Sequence, residues 1–180
     1  MTHPQKFQNE QKIINGAFNP DFPLISRTNC NTNLFFGPKH WSYQHTNPNF
    51  GDISEYKLTN FIGAGQYTGV FKGYRENNEN QVLAIRILRP NHNDKIRREI
   101  KIMQVLNGHP NIMQLHDVLI DPKYGIISMV CEYCEIEENV SLYKQMNLDD
   151  IRIYMHQLLT ALNHIHSQGI MHRDIKPTNV

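Results

Sequence analysis

His172-Arg173-Asp174-Ile175-Lys176-Pro177-Thr178-Asn179 is the most specific stretch of this 180-residue chain. An aspartate is followed two positions on by a lysine and five positions on by an asparagine, after a helix-like run and a glycine. On one rigid loop that spacing supplies a base for a hydroxyl, a cation for a phosphate and an oxygen ligand for Mg²⁺. A polar loop assembled by chance would rarely meet all three demands.

Immediately upstream, Asn147-Leu148-Asp149-Asp150 has the form of a helix N-cap with an acidic first turn. Ile151, Met155, Leu158, Leu162 and Ile165 follow as one apolar stripe, and Gly169 ends the helix. Further back, Leu115 to Ile120 and Ile126 to Cys131 read as strands around the turn Asp121-Pro122-Lys123-Tyr124-Gly125. In Asn93 to Asn107 the period changes: Ile96, Ile100, Met103 and Leu106 recur at helical spacing, and Gly108 is the stop. Val82 to Leu88, Gly69 to Tyr74 and Tyr56 to Ile62 complete the set as strands, with a polar turn over Glu76 to Asn80. The order is three strands, a helix, two strands and a long helix.

Two features of the strands carry chemistry. Gly63-Ala64-Gly65-Gln66-Tyr67-Thr68-Gly69-Val70 lies between two of them, and glycine lets backbone N–H groups approach phosphates closely. A ligand-free glycine turn would read the same way. A dinucleotide-binding loop would need a helix after the glycines, whereas Val70-Phe71-Lys72 continues as strand. On the third strand, alternation puts Ala84 and Arg86 on one face and Leu83, Ile85 and Ile87 on the other. A charge in so apolar a strand needs a partner, and Glu99 on the following helix is the expected one.

Composition sets the outer limits. Basic and acidic residues nearly balance, with a formal net charge of +1, so no electrostatic signature of a nucleic-acid binder is present. No apolar run approaches the roughly 20 residues of a membrane helix, and no secretory signal opens the chain. Three cysteines suit reduced thiols in an intracellular protein of the cytoplasm or nucleus. Cys131-Glu132-Tyr133-Cys134 lacks the second ligand pair of a zinc site, and His164-Ile165-His166 reads as helix-end residues. Residues 1–36, rich in Asn, Gln and Pro, read as a mostly disordered arm; Gly37-Pro38 marks a boundary, and Trp41 to Phe50 is expected to lie on the domain that follows.

The glycine loop, basic third-strand residue, acidic helix residue and Asp-x-Lys loop resemble the protein-kinase signatures in their order. The resemblance is greatest to the catalytic (alpha) subunits of casein kinase II. It runs from about Gly37 to Val180 through Lys95-Ile96-Arg97-Arg98-Glu99-Ile100-Lys101-Ile102, Pro110-Asn111-Ile112 and Gly169-Ile170-Met171-His172-Arg173-Asp174. It implies an α+β, protein-kinase-like fold: a five-stranded antiparallel N-lobe sheet with one helix, then the first helices of a truncated helical C-lobe. The units expected are the arm 1–36, a packing segment 37–55, the N-lobe and hinge 56–134, and the start of the C-lobe 135–180. It implies transfer of the γ-phosphate of ATP, and of GTP as well, with Mg²⁺, to serine and threonine hydroxyls of acidic proteins. Ile62, Val70, Ala84 and Met113 would line the adenine, with Gly63 and Gly65 in the phosphate loop. Glu132 and Cys134 would offer hinge backbone groups, and Cys131 would guard the back pocket. Asp174 would be the catalytic base, Lys176 the γ-phosphate contact and Asn179 the Mg²⁺ ligand. Trp41 to Phe50 would brace an activation segment. A regulatory beta-type subunit would dock on Tyr56, Leu58, Phe71, Ile85, Ile87 and Leu119.

The sequence departs from that pattern at several points. Arg86 stands where the family has lysine, and Thr68 takes the place of the third glycine. The lysine cluster ahead of the helix is thinned to Asn91-His92-Asn93-Asp94-Lys95, although Lys95, Arg97, Arg98 and Lys101 keep that face positive. The sequence reaches Val180 without an Asp-x-Gly, so the 180 residues alone are expected to be an inactive fragment. The alternative is a truncated, catalytically impaired pseudokinase that serves as a nucleotide- or protein-binding scaffold.

Overall fold

The computed structural model describes residues 28–44, 47–65, 68–89, 93–135 and 143–179. The expected arm over 1–27, the loop tip Gln66-Tyr67, the pair Asn91-His92 and Val180 lie outside the described residues.

All five strands expected from the sequence are present, the third beginning at Asn78, inside the stretch read as a turn. They are β1 (Tyr56–Ala64), β2 (Thr68–Arg75), β3 (Asn78–Leu88), β4 (Leu115–Ile120) and β5 (Ile127–Glu132). They form one sheet in the order β1-β2-β3-β5-β4, every neighbour antiparallel. β1 to β3 follow one another through short turns, while the β3-to-β4 connection carries the helix Asn93–Leu106.

Strand alternation builds two apolar layers. On one face Leu88, Met129 and Cys131 pack with Ile96 and Ile100 of the helix, joined by Leu115 and Val118. On the other face Leu83, Ile85, Leu119 and Val130 pack beneath Tyr56. Leu115 and Val118 share a face despite their odd spacing because β4 bulges between Leu115 and Asp117. The extra residue shifts the side-chain parity of everything before it.

The outer layer bears on the docking surface expected from the sequence. Ile85 and Leu119 are buried within this chain, whereas Leu58 is exposed. The chain itself reaches over that edge of the sheet: Gly51 makes a parallel bridge to Leu119, and its N–H donates to the Val118 carbonyl at 2.9 Å. The Tyr56 hydroxyl then donates to Asp117 Oδ2 at 3.0 Å, so residues 51–56 are fastened to β4 at two points.

Short helices precede the sheet. α1 (Thr32–Phe36) and α2 (Pro38–Trp41) follow one another around Gly37. The arm expected over 1–36 is therefore helical at its C-terminal end. The cause is tertiary: Asn33 Nδ2 donates to the Gly169 carbonyl at 2.9 Å, and the Phe36 ring stacks on His40. Five residues show no helical period, so only this distant anchor reveals the helix. His40 Nε2 lies 2.9 Å from the Gln168 carbonyl, and Arg97 Nη1 donates to the Gln44 carbonyl at 2.9 Å. The 28–44 segment thus touches one of the two major helices and the turn that ends the other.

Those helices are α3 (Asn93–Leu106) and α4 (Leu148–Ser167). α3 buries Ile96, Ile100 and Leu106, and its end is pinned where Asn107 exchanges two 2.9 Å bonds with the Leu115 backbone. Gly108 then takes φ 93°, which a residue with a Cβ adopts at a cost. α4 opens on a full capping box: Asn147 Oδ1 accepts from the Asp149 and Asp150 N–H groups, and Asp150 accepts from the Asn147 N–H. Along its apolar stripe Ile165 is buried and Leu158 and Leu162 are partly so, whereas Ile151 and Met155 are exposed.

Candidate active site

β3 and α3 place the first pair of charged groups. Val70 of β2 faces Arg86 across the sheet, and Ala84 faces Cys131 of β5. Arg86 and Ala84 lie on the sheet face that α3 covers, since Leu88 on the same parity packs against Ile96 and Ile100. Arg86 Nη2 meets Glu99 Oε1 at 2.8 Å, with the two side chains 26% and 39% exposed. The pair forms as the alternation of β3 required. Both charges act on the Cys131 thiol beneath them. Burial pushes that thiol up to about 11, with Arg86 pulling it down and Glu99 pushing it up.

The end of β5 is held by a residue that no sequence pattern singles out. Gln114 N donates to Glu132 Oε1 at 2.9 Å, and Glu132 N donates back to the Gln114 carbonyl at 3.0 Å. Gln114 Nε2 also donates to the His109 and Ile112 carbonyls, and its Oε1 accepts from Gly108 N. The side-chain amide thus gathers the α3–β4 loop, while the backbone of the same residue ties that loop to the end of β5. A lone glutamine before a strand carries no pattern by which to find it. Met113, on that loop, is half exposed, as is Ile62 at the far side of the sheet. Gly63 pairs with Val70 in the β1–β2 ladder, and Gly65 N donates to the Thr68 carbonyl at 2.9 Å. Cys134 is exposed just past β5, unlike the buried Cys131. Beside it Lys72 Nζ lies 4.3 Å from the Tyr133 ring centre. This pair edges a cleft of about 450 Å³ with Val82 and Glu135.

The Asp174 loop follows α4. Gly169 turns the chain with φ 71°, and Arg173 is the one non-glycine of positive φ among the described residues, at 67°. Left-handed backbone at a residue with a Cβ is sparsely populated and tends to occur where a neighbouring group must be aimed. The neighbour here is Asp174. Its Oδ2 accepts from Lys176 Nζ at 3.0 Å and from Asn179 Nδ2 at 2.8 Å; its carbonyl accepts from Asn179 Nδ2 at 2.9 Å. These bonds, Lys176 first and Asn179 next, hold the Asp174 carboxyl below the usual aspartate value.

The three residues that the sequence grouped are thus brought together on one exposed turn. Among the described residues no hydrogen bond or ion pair engages Asp174 Oδ1, so one carboxylate oxygen is left to accept a hydroxyl. Asn179 donates through its nitrogen and leaves Oδ1 as the oxygen able to ligate a hard cation. No cluster of three or more His, Cys, Asp or Glu suited to a metal occurs among the described residues. The donor set fits Mg²⁺ held mainly by phosphates and water, with one protein oxygen from this loop. No hydrogen bond or ion pair among the described residues joins this turn to the Arg86–Glu99 pair. His164, read as a helix-end residue, stacks its ring on His109 at 4.6 Å and is not paired with His166.

An antiparallel five-stranded sheet, a helix ion-paired to its third strand and an Asp-Lys-Asn turn after a long helix define an α+β phosphotransferase architecture. Residues 56–180 match the protein kinase domain family model, and the chain belongs to that family. Protein kinase domains use ATP and Mg²⁺. No helix among the described residues is long and apolar enough to cross a membrane.

Proposed function

We propose that this chain carries the nucleotide-binding and catalytic-loop portion of a serine/threonine kinase similar to casein kinase II catalytic subunits. The observation that carries this reading is the Asp174 turn, where Lys176 and Asn179 both engage Oδ2 rather than Oδ1. Asp174 Oδ1 accepts the proton of a serine or threonine hydroxyl and orients its oxygen toward the γ-phosphate. A carboxylate of lowered pKa is a weak base, which suits phosphoryl transfer: its loose transition state calls for positioning more than for early proton removal. Lys176 lies beside the transferred group and offsets its charge. Asn179 Oδ1 would hold Mg²⁺, which when bound would supply charge neutralisation on the phosphates. Arg86, steadied by Glu99, faces the α- and β-phosphates. Gly63 and Gly65 bring backbone close to them, and Ile62, Val70, Ala84 and Met113 enclose the base beside the hinge at Glu132 and Cys134.

Several finer points belong to the same proposal. GTP serves as a second phosphate donor. Acidic protein substrates are read by Lys95, Arg97, Arg98 and Lys101. A regulatory beta-type partner would meet Leu58, Phe71 and Ile87, since Ile85 and Leu119 are buried within the chain. The compartment is cytoplasm or nucleus, consistent with three free thiols. A second reading, a nucleotide-binding scaffold with impaired catalysis, is favoured by one residue: arginine at the β3 position, a planar, bidentate group where a compact point charge is usual.

The test is titration of Mg·ATP and Mg·GTP against the chain and its Asn179→Ala variant. Transfer of labelled γ-phosphate to acidic and neutral serine peptides follows, with Asp174→Asn as control. Mg²⁺-dependent binding that Asn179→Ala weakens supports the reading; absence of nucleotide binding overturns it. Binding without transfer is what these 180 residues alone are expected to show, whereas transfer that Asp174→Asn abolishes excludes the scaffold.

A further inference from the structure

Resting on the kinase reading above, we infer that Tyr143 and Tyr154 form a two-hydroxyl relay that positions the catalytic loop from behind. Tyr154 lies on α4, and Tyr143 on the helical turn 143–145 that precedes it. Their rings meet edge to face, with centroids 6.0 Å apart and planes at 81°. Their hydroxyl oxygens are 3.2 Å apart, and the Tyr143 hydroxyl lies 3.2 Å from the Pro177 carbonyl, toward which it donates.

The direction of the relay follows from proton counting. A phenol has one O–H to give. Tyr143 gives its proton to Pro177, so its bond to Tyr154 must be one that it accepts. The order is Tyr154 to Tyr143 to Pro177, and each bond polarises the next. Burial, reinforced by the contact with Tyr143, raises the pKa of Tyr154, so the far member stays protonated and able to donate.

The receiving carbonyl is well placed to matter. Pro177 opens the 3₁₀ turn Pro177–Asn179. Proline has no N–H, so its carbonyl is its one backbone hydrogen-bonding group. Holding that carbonyl fixes the peptide plane between 177 and 178. The next residue but one is Asn179, whose N–H closes the turn on Lys176 at 2.9 Å and whose side chain grips Asp174. The tyrosines touch neither nucleotide nor hydroxyl; they are positioning residues that act through Asn179.

The experiment compares wild type with Tyr143→Phe, Tyr154→Phe and the double variant, which keep both rings. Two quantities are read: Mn²⁺ affinity in the Mn·ATP complex, by proton relaxation enhancement, and hydrogen exchange of the Asn179 amide. Loss of the Tyr143 donor should weaken Mn²⁺ and speed Asn179 exchange by roughly three- to tenfold each. Tyr154→Phe should have a smaller effect in the same direction. The double variant should match Tyr143→Phe, because the far hydroxyl acts only through the near one. The melting temperature and the affinity for ATP without metal should not move, which a merely structural role would not allow. Additive effects, effects that track melting temperature, or unchanged Asn179 exchange in Tyr143→Phe overturn the relay. If wild type binds no Mn·ATP, the kinase reading fails, and the exchange result alone judges the relay.

Discussion

The Arg86–Glu99 pair should behave as one coupled unit, and its strength can be bounded from its geometry. At 2.8 Å it is a charge-assisted contact. Such bonds contribute about 1.5–3 kcal/mol when well shielded, and exposed ion pairs about 0.2–1 kcal/mol. With side chains 26% and 39% exposed, the pair falls between these limits. The expected coupling is therefore about 1 kcal/mol. The two single losses should not be equal. Glu99→Gln leaves an amide that still accepts from Arg86 and should cost about 1 kcal/mol. Arg86→Met leaves the partly exposed Glu99 carboxylate without its partner and should cost about 2 kcal/mol. Arg86→Lys keeps the charge and should recover at least half of that loss. The assay is urea unfolding of wild type, both single variants and Arg86→Met/Glu99→Gln at low and moderate salt. Cys131 gives an independent sign: Arg86→Met should raise its thiol pKa above about 11 and Glu99→Gln should lower it. A coupling below about 0.3 kcal/mol, within ordinary additivity, would refute the reasoning. So would a thiol that moves the same way in both variants.

Three further outcomes follow from particular contacts. Gly73→Ala should destabilise by about 1–3 kcal/mol in urea titrations, because a Cβ there would meet the Lys57 carbonyl backbone and Ile85 Cδ1. Asn147→Ala removes the acceptor for two N–H groups of α4 and should cost about 0.5–2 kcal/mol, while Asn147→Ser should recover most of it. Tyr56 is raised from 10.0 to about 12, chiefly by burial and then by its bond to Asp117. Its folded value exceeds its unfolded one, so the stabilisation is complete below pH 10.0 and is lost as pH rises toward about 12. Tyr56→Phe should flatten alkaline unfolding curves in that window, and an unchanged curve would dismiss the contact.

The order of the strands and helices, the cap at Asn147 and the stop at Gly108 were legible because they are local. Each depends on a period, a side-chain oxygen or a glycine within a few residues. The Asp174, Lys176 and Asn179 set was legible for the same reason: one turn holds all three. Even the Arg86–Glu99 pair could be expected, since a lone charge in an apolar strand demands a partner and the next helix offered one. What only the tertiary structure decided spans long separations. Asn33 gains its helix from Gly169, Gln114 clamps the end of β5 through Glu132, and residues 51–56 close over Leu119. Tyr143 meets Tyr154 and Pro177 in the same way. These contacts use ordinary polar residues whose hydrogen-bonding capacity is the same in any loop, so the sequence marks none of them. Their partners are fixed by the packing of the sheet and helices, and a linear pattern carries no record of that distance.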